Sequence, residues 1–115
     1  MQVRRGDIFI DTDFRGMVGS EQGGRRPCIV ISNDLCNRYS PAISVIPITK
    51  QSKTKIPTHL LLSKHKYFLD EDSLALVEQT RVLDKTRLGY KHTRGLHKDD
   101  LEAIEDMLKI QFGLK

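Results

Sequence analysis

The sequence predicts a mainly β domain that ends in one α-helix. Short apolar, β-branched runs separated by polar turns indicate five or more strands, and one longer segment near the C-terminus carries apolar residues at helical spacing. Together these patterns predict a small, barrel-like antiparallel sheet with a helix packed across it. A chain of 115 residues is too short for two separate cores, so we expect residues 1–115 to form a single domain.

The first two predicted strands flank a long polar connection. Residues 8–10 are apolar and follow the turn residues Gly6 and Asp7, which is typical of the start of a strand. Residues 27–32 are almost wholly apolar and β-branched, which favours a central strand. The connection over residues 14–26 is near the upper limit for a loop in a compact domain, and loops of this length are usually functional or disordered.

The rest of the predicted sheet consists of short apolar runs. Pro47 falls within the first of them, and because proline has no N–H to donate to a ladder, we place it at a sheet edge or a bulge. A basic, polar loop over residues 50–55 follows that strand. The predicted strands cover residues 42–49, 57–62 and 74–79, with a short turn and another strand near residues 82–84 and 88–90.

Residues 95–114 predict the one long helix. Asp99, Asp100 and Glu102 fall in its first turns, where carboxylates suit the positive end of the helix dipole. The apolar residues form one stripe, which we expect to pack on the sheet. That stripe contains Leu101, Ile104, Leu108 and Phe112, and it is widened by Met107 and Ile110.

The charge of the chain is uneven. The net charge is +4, and residues 1–66 hold 11 Lys and Arg against 5 Asp and Glu, whereas residues 67–115 hold 8 against 10. A basic first half that also carries a glycine-rich loop suits a polyanionic partner.

Other features of the chain favour the cytosol. No apolar run approaches the roughly 18 residues that span a bilayer, and no signal-peptide-like stretch follows the N-terminus, so we expect no membrane association. Cys28 and Cys36 lie eight positions apart rather than in a Cys-x-x-Cys pair, and we expect both to be reduced.

The sequence carries no common cofactor motif. Neither phosphate-binding glycine pattern is present, and the four histidines and two cysteines form no recognisable zinc set. The sequence therefore predicts no metal and no cofactor. His59 lies in a strand pattern, and we expect it to be structural.

Polar residues instead collect at the ends of the predicted strands, where they could meet on one rim of the barrel. Arg26 precedes Pro27 and is therefore held extended, so it could present its planar guanidinium to a phosphate. Thr49 could donate a hydrogen bond, and Glu21 could orient or accept a proton. Such a site could cleave RNA with the 2′-hydroxyl of the RNA as nucleophile. The alternative, which composition alone favours, is a solvated hairpin loop.

Several sequence blocks, in order along nearly the whole chain, resemble the MazF/PemK toxins, most closely those of Gram-positive bacteria. The longest block, at residues 76–88, reads Leu-Val-Glu-Gln-Thr-Arg-Val-Leu-Asp-Lys-Thr-Arg-Leu. The others are Arg-Gly-Asp-Ile-Phe at 5–9, Gly-Ser-Glu-Gln-Gly-Gly-Arg-Arg-Pro at 19–27, Val-Ile-Ser-Asn-Asp at 30–34, Pro-Ile-Thr at 47–49 and Pro-Thr-His at 57–59.

The resemblance implies an SH3-like antiparallel barrel with a C-terminal helix, which is the CcdB/PemK-type toxin fold, and a homodimer. It implies a type II toxin that cleaves single-stranded RNA, mainly mRNA, at specific sequences, and that is neutralised by a MazE-type antitoxin. Arg26 and Thr49 match the catalytic residues of the family, whereas Arg25 differs from the apolar residue found there in some members. The matching RNA-binding residues are Ser20, Glu21, Gln22, Asn33, Gln51, Glu78 and Gln79.

Two other functions stay open at this point. The same barrel occurs in CcdB-type toxins, which bind DNA gyrase and cleave nothing. A basic RNA-binding module that leaves RNA intact is the second alternative, and its binding would depend strongly on salt.

Overall fold

The computed structural model describes residues 2–19, 21–50 and 55–115 of the chain. These residues form a mainly antiparallel β-structure with a long C-terminal helix, as predicted. The strands are β1 (Ile8–Asp13), β2 (Arg25–Val30), β3 (Ala42–Lys50), β4 (His59–Leu62), β5 (Ser73–Leu76), β6 (Arg81–Asp84) and β7 (Tyr90–Lys91). The helices are α1 (Asp34–Tyr39), α2 (Lys64–Tyr67) and α3 (Lys98–Phe112), and 3-10 turns cover Val77–Gln79 and Lys85–Arg87.

Strand β3 is the centre of the sheet. The strands follow the order β4-β5-β3-β2-β1-β7, and β6 also pairs with β3. One side of β3 pairs with β2, while the other side pairs first with β6 and then with β5. No ladder among the described strands joins β7 back to β4 or β6, so the sheet is a curved, open barrel rather than a closed ring.

Pro47 lies within this central strand and in regular register with β2, so the prediction of a sheet edge or a bulge is wrong. It pairs with Cys28 of β2, on one side of β3. On the other side, the described β6 ladder ends at Val45 and the β5 ladder begins at Ile48. Pro47 therefore occupies the gap between two partner strands, where a missing donor interrupts neither of these two ladders.

A bulge in β1 changes the register against β2. Ile8 pairs with Ile29, but Thr12 pairs with Arg26, so one extra residue is accommodated between them. Asp11 lies in this bulge with φ of 56°, in the left-handed region. The bulge places the start of β2 opposite Thr12, and it thereby determines where Arg26 lies at the rim.

Alternating residues of the strands supply two apolar clusters. Ile8 of β1 and Ile29 of β2 belong to the cluster under α3, whereas Phe9 and Cys28 belong to the cluster on the other face. The cluster under α3 also contains Ile46, Ile48, Leu62, Tyr67 and Ile104, and the second also contains Phe14, Val30, Ile43, Val45 and Leu83.

Helix α3 packs on the sheet along only part of its predicted stripe. Ile104 is fully buried, but Ile110 and Phe112 are 66% and 60% exposed. The helix ends at Gly113, whose left-handed φ of 66° closes the last turn. The prediction that the whole stripe packs on the sheet is therefore wrong for the C-terminal part of the helix. Leu101, Met107 and Leu108 contact the core as predicted.

Three local features also differ from the predictions. The predicted strand over residues 74–79 ends at Leu76, and its last residues form a 3-10 turn. Helices α1 and α2 were not predicted, because six and four residues are too few to show a helical period.

Two further findings concern the cysteines and the length of the helices. Both cysteines are free, and burial raises the pKa of the Cys28 thiol to about 11. None of the helices in the described part of the chain has the length and apolarity that a membrane crossing requires.

Gly89 provides a test of the β1 bulge. A Cβ at this position would lie 1.7 Å from the carbonyl oxygen of Ile10, so Gly89→Ala should force the backbones apart. We expect the free energy of unfolding to fall by about 3 kcal/mol in urea denaturation at fixed protein concentration. Gly95→Ala is the matched control, because its Cβ would make only an ordinary 3.5 Å contact. Equal stability of the two variants would contradict the close packing of Gly89 on the bulge.

Candidate functional site

Arg26 lies at the start of β2, where its side chain bridges the preceding loop and β3. Its Nε donates to the carbonyl oxygen of Gly23 at 2.6 Å, and its Nη1 donates to Oγ1 of Thr49 at 3.1 Å. Two neighbouring parts of the chain therefore fix the plane of the guanidinium.

The guanidinium of Arg26 has no acidic partner in the described part of the chain. No described carboxylate lies within 4 Å of it, whereas the exposed Arg25 has Asp11 at 3.8 Å and also donates to the carbonyl oxygen of that residue at 3.2 Å. Partial burial lowers the pKa of Arg26, because removal from water disfavours its charge. A guanidinium nevertheless stays protonated in proteins, so Arg26 offers an uncompensated positive charge.

Thr49 of β3 supplies a hydroxyl group next to the guanidinium of Arg26. Its Oγ1 accepts the hydrogen bond from Arg26, so its own O–H proton is left for another acceptor. Both side chains line an open cleft of about 720 Å³, which we call the arginine cleft. Asp11, Lys50, Phe68, Asp70, Tyr90 and His92 are among its other lining residues.

Four of the other predicted polar residues, Glu21, Gln22, Glu78 and Gln79, line a second cleft of about 500 Å³, which we call the loop cleft. The backbone N–H of Gln22 donates to Oε1 of Gln79 at 2.7 Å. A carboxylate oxygen of Glu21 lies 3.6 Å from the guanidinium of Arg81. Arg81 was not among the predicted site residues. These contacts attach the loop before β2 to the 3-10 turn Val77–Gln79 and to the first residue of β6. The cleft is lined by Glu21, Gln22, Pro47, Glu78, Gln79, Thr80 and Arg81.

Glu78 is held in place by a buried histidine. Nδ1 of His59 accepts from the backbone N–H of Ile56 at 3.3 Å, so in the neutral ring Nε2 carries the proton and donates to Glu78 at 2.9 Å. His59 is only 5% exposed, in agreement with the structural role predicted for it. This contact leaves Oε1 of Glu78 buried, without a hydrogen-bond partner among the described residues.

The loop separates the predicted site into two parts. Gly23 contacts Arg26 on the side of the arginine cleft, while the adjacent Gln22 contacts Gln79 on the side of the loop cleft. Glu21 therefore lines the loop cleft and not the arginine cleft. In this position it is too far from the Arg26–Thr49 pair for the predicted role of orienting or accepting the 2′-hydroxyl proton.

Asn33 does not lie with the other predicted residues. It follows the opposite end of β2 from Arg26, and strand geometry puts about 13 Å between Arg26 and the last strand residue, Val30. Its Oδ1 accepts from the backbone N–H of Cys36 at 2.8 Å, which caps helix α1. Ser20 and Gln51 lie outside the described residues.

Sequence reasoning missed two aromatic residues of the arginine cleft and a cation of the loop cleft. Arg81 lies in the longest family-like block, two positions after Gln79, so its place in the chain was a usable signal. Phe68 and Tyr90 belong to no polar cluster, and only their exposure in the fold identifies them. No group of three or more His, Cys, Asp or Glu residues that could hold a metal occurs within residues 2–19, 21–50 and 55–115.

Comparison with known proteins identifies the family. Residues 4–112 match the model of the PemK-like, MazF-like toxins of type II toxin–antitoxin systems. The chain belongs to this family. The resemblance found in the sequence blocks is thereby confirmed over nearly the whole chain, and endoribonuclease activity is typical of MazF/PemK toxins.

Solved structures of MazF proteins share the fold. The crystal structure of MazF from Deinococcus radiodurans is 25% identical, with a TM-score of 0.83 and 99% of each chain covered. An endoribonuclease in complex with its cognate antitoxin, from a mycobacterial species, is 18% identical, with a TM-score of 0.74 over 99% of this chain and 96% of that chain. A MazE–MazF structure from Deinococcus radiodurans is 22% identical, with a TM-score of 0.74 over 100% and 99% of the chains. The predicted CcdB/PemK-type fold class is confirmed.

The capping role of Asn33 can be tested by stability. Asn33→Ala removes the acceptor for the Cys36 N–H, so we expect the free energy of unfolding to fall by about 1 kcal/mol in urea denaturation. Asn33→Ser is the control, because serine caps helices about as well as asparagine. An alanine variant as stable as the serine variant would show that this cap contributes nothing.

Proposed function

We propose that this MazF/PemK toxin is a sequence-specific, metal-independent endoribonuclease that cleaves single-stranded mRNA and so inhibits translation and growth. The observation that carries the proposal is the 3.1 Å hydrogen bond from Arg26 to Thr49 at an open cleft. It joins an uncompensated cation to a hydroxyl that still has a proton to donate. A phosphodiester needs both groups as negative charge develops on its oxygens.

The proposed reaction uses the substrate's own nucleophile. The 2′-hydroxyl loses its proton and forms a bond to the adjacent phosphorus, while the bond from phosphorus to the 5′-oxygen breaks. The departing 5′-oxygen takes up a proton. The products are a 2′,3′-cyclic phosphate and a 5′-hydroxyl, so the number of protons is balanced and water is not consumed in this step.

Arg26 stabilises the developing charge, and Thr49 donates to a non-bridging oxygen. We assign Arg26 an electrostatic role first, because a guanidinium is a very weak base even where burial lowers its pKa. Proton transfer falls to other groups at the arginine cleft, which has Asp11 and Asp70 among its lining carboxylates.

The loop cleft supplies the second part of the proposed site. Glu21, Gln22, Glu78 and Gln79 present carboxylate and amide groups that can form hydrogen bonds with base edges, which is how single-stranded RNA is read. The family likeness adds Ser20, Gln51 and Asn33 to the proposed RNA-binding residues. Because Asn33 follows the opposite end of β2 from Arg26, it could contact only a part of the RNA away from the Arg26–Thr49 pair.

The partners are proposed from the family and from its solved structures. We propose a homodimer that acts in the cytoplasm and is neutralised by a MazE-type antitoxin. Two of the structural neighbours support the antitoxin, since one is an endoribonuclease with its cognate antitoxin and another is a MazE–MazF structure.

The decisive experiment is cleavage of a long, mixed-sequence RNA in the presence of EDTA. We expect cuts at one short sequence, with 2′,3′-cyclic phosphate ends. Arg26→Ala and Thr49→Val should each lower the cleavage rate about 100-fold or more while the proteins stay folded, because each removes one group that stabilises the transition state. Arg38→Ala is the matched control, because Arg38 is exposed on α1 and lines neither cleft.

Other results would contradict the proposal in distinct ways. Intact RNA together with capture of DNA gyrase would favour a CcdB-like toxin. Salt-dependent RNA binding without cleavage would favour a plain RNA-binding module. Cleavage at the wild-type rate by a folded Arg26→Ala protein would remove the proposed mechanism. A 2′-deoxy nucleotide at the mapped position should abolish the cut, and cleavage there would exclude 2′-hydroxyl attack.

A further inference from the structure

Two aromatic side chains of the arginine cleft are largely exposed. Phe68 is 59% exposed and Tyr90 is 63% exposed, and both line the same cleft as Arg26 and Thr49. Aromatic rings contribute to folding mainly through the area they bury, so these two contribute less than their size allows. Because they line the same cleft as the proposed reaction centre, we consider a role in ligand binding.

The backbone of Phe68 supports this interpretation. Phe68 ends helix α2 with φ of 53° and ψ of 44°, in the left-handed region that usually takes glycine. A bulky residue in this conformation is strained, and such strain collects at functional sites. A side chain that stays exposed on a strained backbone is better explained by contact with a ligand than by folding.

The backbone segments that carry the two rings are joined to each other and to the sheet. Tyr90 belongs to β7 and pairs with Ile10 of β1. Nε2 of His92, two residues later, donates to the carbonyl oxygen of Tyr67 at 2.7 Å, which ties β7 to the residue before Phe68. The guanidinium of Arg94 lies 4.4 Å from the centroid of the Phe68 ring. The backbone that carries both rings is therefore fixed before any ligand arrives, and the Phe68 ring also has a cationic neighbour.

The charges of the cleft indicate which part of a nucleotide each wall can take. Among the described residues that line the arginine cleft, Arg25 and Lys50 each have a carboxylate partner, whereas Arg26 has none. A phosphate would therefore bind next to Arg26. Asp70 and Glu71 follow Phe68 by two and three positions, line the same cleft and would repel a phosphate. Lys50 lies 3.3 Å from Glu71 and offsets one of the two charges. A neutral, flat group fits this wall better, and bases of single-stranded RNA stack on aromatic side chains.

We infer that Phe68 and Tyr90 form a stacking site for a nucleobase next to the scissile phosphate, an inference that rests on the proposed endoribonuclease function. Neither residue belongs to the family-like set of RNA-binding residues. The site would add affinity with little dependence on base identity, because every base has a flat face.

The test uses variants that remove each ring without unfolding the protein. Phe68→Gly is the sharpest, because glycine relieves the left-handed backbone while it removes the ring, so thermal stability should be unchanged or higher. Tyr90→Ala removes the second ring. Tyr39→Ala is the matched control, since Tyr39 is 69% exposed on α1 and lines neither cleft.

The probe is a fluorescent, random-sequence 20-nucleotide RNA with 2′-O-methyl groups throughout, which cannot be cleaved by 2′-attack. Anisotropy should show binding weakened about 5- to 100-fold in Phe68→Gly and in Tyr90→Ala, and within about twofold of wild type in Tyr39→Ala. The dependence of log K on log salt should stay unchanged in the ring variants, because stacking releases no counterions. It should become shallower by about 0.7 in Arg26→Ala, which removes one phosphate contact.

A second readout locates the stacked base. In 2′-O-methyl RNA of the mapped cleavage sequence, 2-aminopurine placed beside the scissile position should lose fluorescence on binding to the wild type and keep it with Phe68→Gly.

The outcomes separate the two proposals. Wild-type cleavage with unchanged RNA affinity in both ring variants would overturn the stacking site and leave the endoribonuclease intact. A wild-type protein that neither binds nor cleaves RNA would overturn both. Ring variants that bind RNA normally but change in mass by light scattering would show that the rings contact a second copy of the chain, and would overturn the stacking site.

Discussion

The hydrogen bond between Arg26 and Thr49 depends on the register of β2 against β3. Cys28 pairs with Pro47 and Val30 with Val45, and the same register continued places Arg26 opposite Thr49. Because side chains alternate between the faces of a strand, a slip of one residue would send the two groups to opposite faces. The register is fixed by the core, since Cys28 packs with one apolar cluster while its neighbour Ile29 packs with the other. The core therefore determines the site geometry.

The partners of Arg26 determine what its charge can do. Gly23 and Thr49 are neutral acceptors, and hydrogen bonds from a charged donor are worth about 1.5–3 kcal/mol each, so they can offset part of the cost of burial. They do not cancel the charge, however, in contrast to the carboxylate of Asp11 beside Arg25. Two adjacent arginines thus have different electrostatic roles.

The sequence predicted most of the regular structure, because β3 and α3 are long enough for their apolar patterns to show. It also predicted Arg26 and Thr49 as a pair through the family likeness. It could not show that the loop before β2 folds between two clefts, since that depends on contacts with residues more than 50 positions away. The prediction that Asn33 lies with the other site residues did not distinguish the two ends of β2. Arg26 lies at the start of this strand, whereas Asn33 follows its end.

Local costs in the fold are concentrated at the two clefts. Within the described residues, the buried side-chain atoms without a hydrogen-bond partner are Oε1 of Glu78 and Nε of Arg81, and both residues line the loop cleft. Each such atom costs about 1–3 kcal/mol. The arginine cleft has the uncompensated charge of Arg26 and the left-handed backbone of Phe68. A chain selected only for stability has no reason to place these costs together at open clefts. A ligand with a charged backbone and flat faces would offset the charge of Arg26 and cover the exposed ring of Phe68, and single-stranded RNA has both features.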